Sequence, residues 1–99
     1  MITFTRTYTA QPGKFFDLIA QSKENAAIVK KVVGLEVSTN VVSGGVTGEL
    51  VGVLKFKDFA HYEEVVNKLL SNAEYRDVLD KFAGLIVPGS ARDQLMREI

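Results

Sequence analysis

The stretch Leu50–Phe82, LVGVLKFKDFAHYEEVVNKLLSNAEYRDVLDKF, holds the densest apolar periodicity in the chain. Its first part, Leu50 to Phe56, is rich in valine, leucine and phenylalanine, which is typical of a strand. The apolar residues then change to a helical spacing of i, i+3, i+4, i+7 and i+8, and they are Tyr62, Val65, Val66, Leu69 and Leu70. The sequence therefore predicts a strand that leads directly into a helix.

Two polar residues in this stretch have the properties of helix N-caps. Asp58 stands between the predicted strand and helix, where its carboxylate can accept hydrogen bonds from free backbone N–H groups. Ser71 is followed three residues later by Glu74, which is the capping-box pattern. We therefore expect two helical segments, the second starting after Ser71 and ending near Gly84, with a bend between them.

The segment before this stretch predicts a strand and a longer helix. Ile2 to Ala10 alternates, with threonines on one face and Ile2, Phe4, Arg6, Tyr8 and Ala10 on the other. Pro12 and Gly13 end the strand, and an apolar stripe at helical spacing follows from Lys14. Gly34 is the expected helix terminator, because glycine readily adopts the left-handed conformation at that position.

The remaining segments complete a ferredoxin-like plan. Leu35 to Val42 is a second strand-prone run, and the glycine-rich residues 43–48 suit a hairpin loop. Ser90 to Ile99 fits either a short helix or an edge strand, and we predict a strand because it would complete the split βαβ arrangement. The prediction is a single α+β domain over residues 1–99, a βαββαβ sandwich with an antiparallel sheet.

Composition excludes several classes of function. Twelve basic residues balance 12 acidic ones, so no excess of positive charge favours nucleic acid as a partner. The chain has no cysteine and one histidine, and its carboxylates show no metal-binding spacing. No basic and apolar leader and no membrane-length apolar run is found. We expect a cytoplasmic protein that needs no metal and no cofactor and does not associate with a membrane.

Two short motifs resemble a known group of proteins. Arg6-Thr7-Tyr8-Thr9 followed by Pro12-Gly13-Lys14 resembles the opening of NIPSNAP-type domains. Leu70-Ser71-Asn72-Ala73-Glu74-Tyr75-Arg76 is similar to the L-x-D-P-E-Y bend in the second helix of dimeric α/β-barrel proteins, from which it departs at Asn72 and Ala73. This superfamily includes NIPSNAP proteins, antibiotic-biosynthesis monooxygenases and haem-degrading monooxygenases.

The resemblance implies a dimeric α/β barrel, in which two subunits set their four-stranded sheets face to face with the helices outside. A first strand with a threonine face and a mixed aromatic and arginine face suits this arrangement, because one face can meet helices and the other a second sheet. We therefore predict a homodimer with a two-fold, self-complementary interface.

Four residues are candidate ligand contacts. Arg6 lies among aromatic residues on one strand face, where its guanidinium could bind a carboxylate or enolate, and an internal ion pair with Glu36 or Glu49 is an equal alternative. Tyr8 could donate to a ligand oxygen or serve packing. His61 could act as a general acid or base beside Tyr62, but it lies off the apolar stripe, which favours a solvent-exposed histidine.

Other chemistries lack their motifs. The glycines of residues 44–48 are not followed by G-K-[ST], which excludes a P-loop, and no G-x-S-x-G supports a hydrolase triad. Haem-degrading relatives carry a histidine after the aromatic residue that starts the second half of the helix. The residues after Tyr75 offer none, which argues against haem degradation and leaves non-catalytic haem binding open.

Three functions stay open. The favoured hypothesis is a NIPSNAP-like homodimer that binds a small apolar or aromatic molecule or has an accessory role. The second is a cofactor-independent monooxygenase or isomerase for a small aromatic or polyketide-like substrate, which requires Arg6, Tyr8 or His61 to converge on one cavity. The third is a structural module without an enclosed pocket.

Overall fold

A computed structural model describes residues 1–45 and 47–99, and within them the chain forms four strands and three helices. The elements follow the order βαββααβ along the chain. Their bounds are β1 Ile2–Thr9, α1 Phe15–Val33, β2 Ser38–Val41, β3 Glu49–Phe56, α2 Phe59–Leu70, α3 Ala73–Phe82 and β4 Arg92–Arg97. No helix in the described part of the chain is long and apolar enough to cross a membrane.

The strands form one antiparallel sheet in the order β2-β3-β1-β4. The predicted strand in the C-terminal segment is confirmed as β4, which pairs with β1 from Ile2↔Arg97 to Thr7↔Arg92. β1 and β3 are the central strands, and their register runs from Ile2↔Phe56 to Thr9↔Glu49. The predicted four-stranded antiparallel sheet of an α+β fold is therefore confirmed.

The second strand is shorter than predicted. The sequence predicted Leu35 to Val42, whereas β2 covers only Ser38–Val41. Leu35 and Val37 are half-buried and pack against the apolar core from the connection that leaves α1. They were assigned to a strand because they are apolar, but they bury their side chains as part of a loop. The predicted loop at 43–48 follows, and Val46 lies outside the described residues.

The helix ends follow capping chemistry, with one correction. Gly34 ends α1 with φ 74°, and the Asp58 carboxylate caps α2 by accepting from the backbone N–H of His61, both as predicted. The cap of α3 is Asn72, whose side chain accepts from the backbone N–H of Tyr75 at 2.9 Å. Ser71, the predicted cap, instead ends α2. The capping-box prediction was wrong by one residue because Ser71 Oγ donates to the carbonyl of Asn67.

The helices cover one face of the sheet. This helix-facing side carries the even-numbered residues of β1 and β3, and its buried members are Ile2, Tyr8, Leu50, Leu54 and Phe56. They pack against Leu18 and Val29 of α1 and Val65 and Leu69 of α2. The opposite side carries the four threonines of β1, with Val51 and Val53 of β3 in register beside them. We call this second side the threonine face.

Candidate functional site

A cavity of about 440 Å³ lies between the helix-facing side of the sheet and the helices. Most of its wall is aromatic and aliphatic, and the wall includes Phe4, Tyr62, Val66, Leu69, Leu79 and Phe82. Leu70, Ala91 and Asp93 also line it and are exposed to solvent, so the cavity reaches the surface. An apolar cavity of this size that reaches the surface is typical of a small-molecule site, for which volumes of about 300–1,000 Å³ are usual.

The floor of the cavity is one row of residues across the sheet. Thr39 of β2, Gly52 of β3, Arg6 of β1 and Asp93 of β4 are neighbours in register, and all four line the cavity. Gly52 has no side chain, and a Cβ atom built there would meet nothing within 4 Å. The hollow therefore exists partly because the residue opposite Arg6 contributes no atoms above the sheet.

Arg6 is held by Asp93 at the edge of this row. Its Nε donates to Oδ1 at 2.7 Å and its Nη2 donates to Oδ2 at 2.8 Å, which is the bidentate geometry of arginine with carboxylate. Its Cζ lies 5.5 Å from the centre of the Phe4 ring. The hydrogen bond between the two side chains raises the pKa of Arg6 and lowers the pKa of Asp93. Both groups therefore stay charged at neutral pH and together carry no net charge.

The partner of Arg6 differs from both predicted acids. Glu36 pairs with Lys30, and Glu49 pairs with Arg92 at 3.2 Å. Glu49 is opposite Thr9 and lies on the threonine face, whereas Arg6 points towards the helices. The predicted ion pair of Arg6 within the sheet is therefore present, but its partner is Asp93, which lies beside Arg6 in the register of β4 against β1.

Tyr8 takes part in a buried hydrogen-bond chain with α1. Its hydroxyl lies 2.9 Å from Ser22 Oγ, and Ser22 Oγ donates to the carbonyl of Leu18 at 2.8 Å. Since Ser22 has a single proton and gives it to Leu18, the Tyr8 hydroxyl donates to Ser22. Burial raises the pKa of Tyr8, so the phenol keeps its proton at neutral pH.

Two further polar residues line the cavity and were missed by the sequence analysis. Burial raises the pKa of Tyr75 in α3, while the positive charge of Arg6 acts in the opposite direction. Asn25 of α1 also lines the cavity, and its Oδ1 is buried without a hydrogen-bond partner among the described residues. A polar residue three positions after Ser22, inside an otherwise apolar stripe, was the available signal for Asn25.

The structure separates the two candidates on α2. Tyr62 lines the cavity, with its ring 6.3 Å from that of Phe4 and 5.2 Å from that of Phe56. His61 is not a lining residue and is half-buried at the start of the helix. Its Nδ1 accepts from the backbone N–H of Lys57 at 3.1 Å. Of the four sequence candidates, Arg6, Tyr8 and Tyr62 converge on the cavity and His61 does not.

The polar groups of the cavity suit an organic ligand better than a metal ion. No group of three histidine, aspartate or glutamate side chains within residues 1–45 and 47–99 is placed to hold a metal. The cavity instead combines a guanidinium paired with a carboxylate, three phenols and an amide with apolar walls. Such a site can orient a small molecule through a few hydrogen bonds while its body is buried.

Comparison with known proteins defines the fold of this chain. No protein-family model matches the sequence, and no curated protein matches it. Among solved structures, a NIPSNAP family protein of unknown function from Agrobacterium tumefaciens has a TM-score of 0.82 at 22% identity and covers 99% of this chain and 87% of its own.

Two further NIPSNAP structures are similar to this chain. An uncharacterised NIPSNAP domain protein from Burkholderia xenovorans has a TM-score of 0.84 at 12% identity, over 100% of this chain and 95% of its own. A second NIPSNAP family protein from Agrobacterium tumefaciens has a TM-score of 0.81 at 16% identity, over 99% and 92%. The resemblance suggested by the two sequence motifs is thus confirmed at the level of architecture, and this chain has a NIPSNAP-like fold.

Proposed function

We propose that this protein binds a small molecule with a mainly apolar body in the cavity between sheet and helices. The observation that carries the proposal is the cavity itself, about 440 Å³ with aromatic walls and with Arg6, Tyr8 and Tyr75 placed around it. Protein interiors are otherwise packed as densely as organic crystals, with few voids larger than a water molecule. A hollow of this size in a 99-residue domain therefore needs an explanation.

Two features that cost stability support a binding role. Glycine in the interior of a strand is unfavourable, and Gly52 lies in the central strand β3. A buried polar atom without a partner costs about 1–3 kcal/mol, and Asn25 Oδ1 is such an atom in the described structure. Features that oppose stability are concentrated at functional sites, and here both border the same cavity.

The binding proposal is tested with the neutral fluorophore prodan, whose emission shifts to the blue when it leaves water. Addition to the purified protein should shift the emission, and Gly52→Val should abolish the shift because the new side chain fills the floor. Ala20→Val is the matched control, since Ala20 is exposed on α1 and is not a lining residue. No shift with the wild-type protein, or an equal shift with Gly52→Val, would refute the proposal.

Native mass spectrometry of the protein purified from its own host then tests for a natural ligand. Extra mass on the wild-type protein that is missing from Gly52→Val would give the ligand class directly. The same extra mass on both proteins would place the bound molecule outside the cavity.

We also propose that two copies associate through their threonine faces, as the resemblance to dimeric α/β-barrel proteins implies. The helices pack on the other side of the sheet, so this face has no layer of its own among the described elements. Thr5 lies near its centre and pairs with Val53, and Met96 pairs with Thr3. β-Branched and apolar side chains on a second sheet face suit sheet-on-sheet packing.

The dimer is tested by analytical ultracentrifugation. Thr5→Arg places a charge at the centre of the face and should convert a dimer into a monomer. Asp77→Arg is the matched control, because Asp77 is exposed on α3, away from the sheet. A monomeric wild-type protein, or a dimer that tolerates Thr5→Arg, would refute this interface.

A second candidate function is cofactor-independent oxygenation or isomerisation of a small aromatic ketone. Arg6 lines the cavity together with Tyr8, and a guanidinium can stabilise the enolate of a bound ketone. However, His61 lies outside the cavity and burial raises the pKa of Tyr8, so neither is a ready base. Accelerated exchange of the α-protons of tetralone in heavy water, lost in Arg6→Met, would establish this activity, and its absence would leave binding alone.

A further inference from the structure

We infer that the cavity selects an electrically neutral molecule that presents a carbonyl-type oxygen to Arg6 and a hydroxyl or N–H donor to Tyr8. The inference rests on the proposed binding function and specifies the chemistry of the ligand. It follows from the hydrogen-bonding capacity that is left on each residue after its contacts within the protein are counted.

Arg6 has N–H groups that Asp93 does not use, but its positive charge is already balanced. Asp93 occupies Nε and one N–H of Nη2, so the N–H groups of Nη1 and the second N–H of Nη2 are not used by that pair. The Asp93 carboxylate already balances the positive charge of the guanidinium. A ligand carboxylate entering beside this pair would meet a like charge, whereas a neutral carbonyl oxygen accepts from the spare N–H groups without that repulsion.

Tyr8, in contrast, can accept a hydrogen bond from a ligand but cannot donate one. Its proton is donated to Ser22, because the proton of Ser22 is given to the carbonyl of Leu18. The phenol oxygen therefore retains a lone pair and can only accept from a ligand while this chain is intact. A ligand group that donates, such as a phenol or an N–H, complements Tyr8, and an additional carbonyl does not.

The spacing of the two residues places these groups on one ligand. Arg6 and Tyr8 are two residues apart on the same strand face, which separates their Cα atoms by about 7 Å. Between the strands, the missing side chain of Gly52 leaves room above the sheet beside Arg6. The Phe82 ring lies 5.5 Å from that of Tyr8 and provides an aromatic wall beside it. A flat ring system with an acceptor at one end and a donor at the other fits this arrangement.

Three bicyclic probes of similar size separate the possibilities by displacement of prodan. They are tetralone with a ketone only, a hydroxytetralone with its phenol on the ring away from the ketone, and naphthoate with a carboxylate. The wild-type protein should bind hydroxytetralone about tenfold more tightly than tetralone, which corresponds to one added hydrogen bond of about 1.4 kcal/mol. Naphthoate should bind most weakly of the three.

Two variants identify the residues responsible. Asp93→Asn removes the competing carboxylate and should make naphthoate the tightest of the three probes. Tyr8→Phe should erase the advantage of hydroxytetralone over tetralone, so that the two probes bind this variant with equal affinity. Circular dichroism and the melting temperature of each variant show that its fold is retained, and tetralone binding gives an independent readout of an intact cavity.

The outcomes of these experiments separate the predicted ligand selectivity from small-molecule binding itself. Tightest binding of naphthoate to the wild-type protein, or equal affinity for all three probes, would overturn the inference while small-molecule binding stands. Failure of prodan and of every probe to bind would overturn both. An unchanged order of affinities in Asp93→Asn would show that the ion pair does not set the charge preference.

Discussion

Two rows of the same sheet, four residues apart on β1, present very different side chains to the helices. At Ile2↔Phe56 both side chains face the helices and each is 2% exposed, so large apolar side chains occupy this row, and Phe56 also forms part of the cavity wall. At Arg6↔Gly52 one side chain is an arginine paired with Asp93, the other is absent, and the space is a cavity. The backbone pairing is the same in both rows, so side-chain size and charge at one pair of positions decide between core and site.

The two rows also differ in how much they contribute to the stability of the fold. The Phe56 row belongs to an apolar cluster with Val29, Val65 and Leu69, and burial of such side chains is the main favourable term in folding. The Arg6 row contributes little apolar burial and lines the same cavity as Asn25, whose amide oxygen has no partner among the described residues. Substitutions in the first row should therefore change stability most, and substitutions in the second should have small effects, some of them stabilising.

The largest effect is expected for Phe56→Ala. Phe56 is 2% exposed and packs edge to face on Tyr62, so its loss should lower the free energy of unfolding by about 3–5 kcal/mol. Phe16→Ala is the control, because Phe16 is 81% exposed and should change stability by less than about 0.5 kcal/mol. Urea denaturation measures both. Similar effects for the two would show that the first row is not the main source of stability.

Asn25→Leu should stabilise the free protein by about 1 kcal/mol. Leucine has nearly the shape of asparagine, and the substitution removes a buried oxygen that has no partner in the described structure. Asn67→Leu on the exposed side of α2 controls for the higher helix propensity of leucine. The melting temperature of Asn25→Leu should rise above that of Asn67→Leu. A fall would mean that the amide oxygen of Asn25 is bonded in solution.

Gly52→Ala should stabilise by about 0.5–1 kcal/mol, since it adds a strand-compatible side chain where nothing lies within 4 Å. Gly34→Ala has equally open surroundings but a φ of 74°, which strains an alanine, so it should destabilise by about 1 kcal/mol. Chemical denaturation of the two variants should show changes of opposite sign in the free energy of unfolding. Destabilisation by both variants would show that the space above Gly52 is not free.

Asp93→Asn should lower the free energy of unfolding by less than about 1 kcal/mol at neutral pH, because both partners are more than one-third exposed. Folding lowers the pKa of Asp93, so this contribution is present above its unfolded pKa of about 4 and is lost as pH falls through the lowered value. The stability difference between wild type and variant should thus be constant from about pH 5 to 8 and disappear in acid. A difference that persists at acid pH would point to a cause other than the ion pair.

The sequence predicted most of the fold because the signals for it are local. The alternation of β1, the cap at Asp58 and the terminator Gly34 each depend on a few neighbouring residues. The β4 strand was predicted from the needs of the sheet, since its own residues fitted helix or strand. The cap of α3 was missed by one residue because Ser71 and Asn72 are both good caps, and only the geometry of the bend chooses between them.

Residues of the candidate site could be predicted where a pattern within one element placed them together, as on β1 and on the apolar stripe of α2 that includes Tyr62. Arg6 and Tyr8 share a face of β1, so alternation alone placed them together. Asp93 and Gly52 join them through the register of β4 and β3 against β1, which no local pattern in the sequence encodes. Tyr75 looked like an ordinary member of an apolar helix face, and its place at the cavity depends on how α3 packs.

The missing side chain at Gly52 also has an evolutionary consequence. A single base change can convert any glycine codon into an alanine codon or a valine codon. Because the space above Gly52 is open, such a change would shrink the cavity without disturbing the strands that surround it. One mutation is therefore enough to reduce the volume of the cavity, so proteins that share this backbone can differ in how much space they leave between the sheet and the helices.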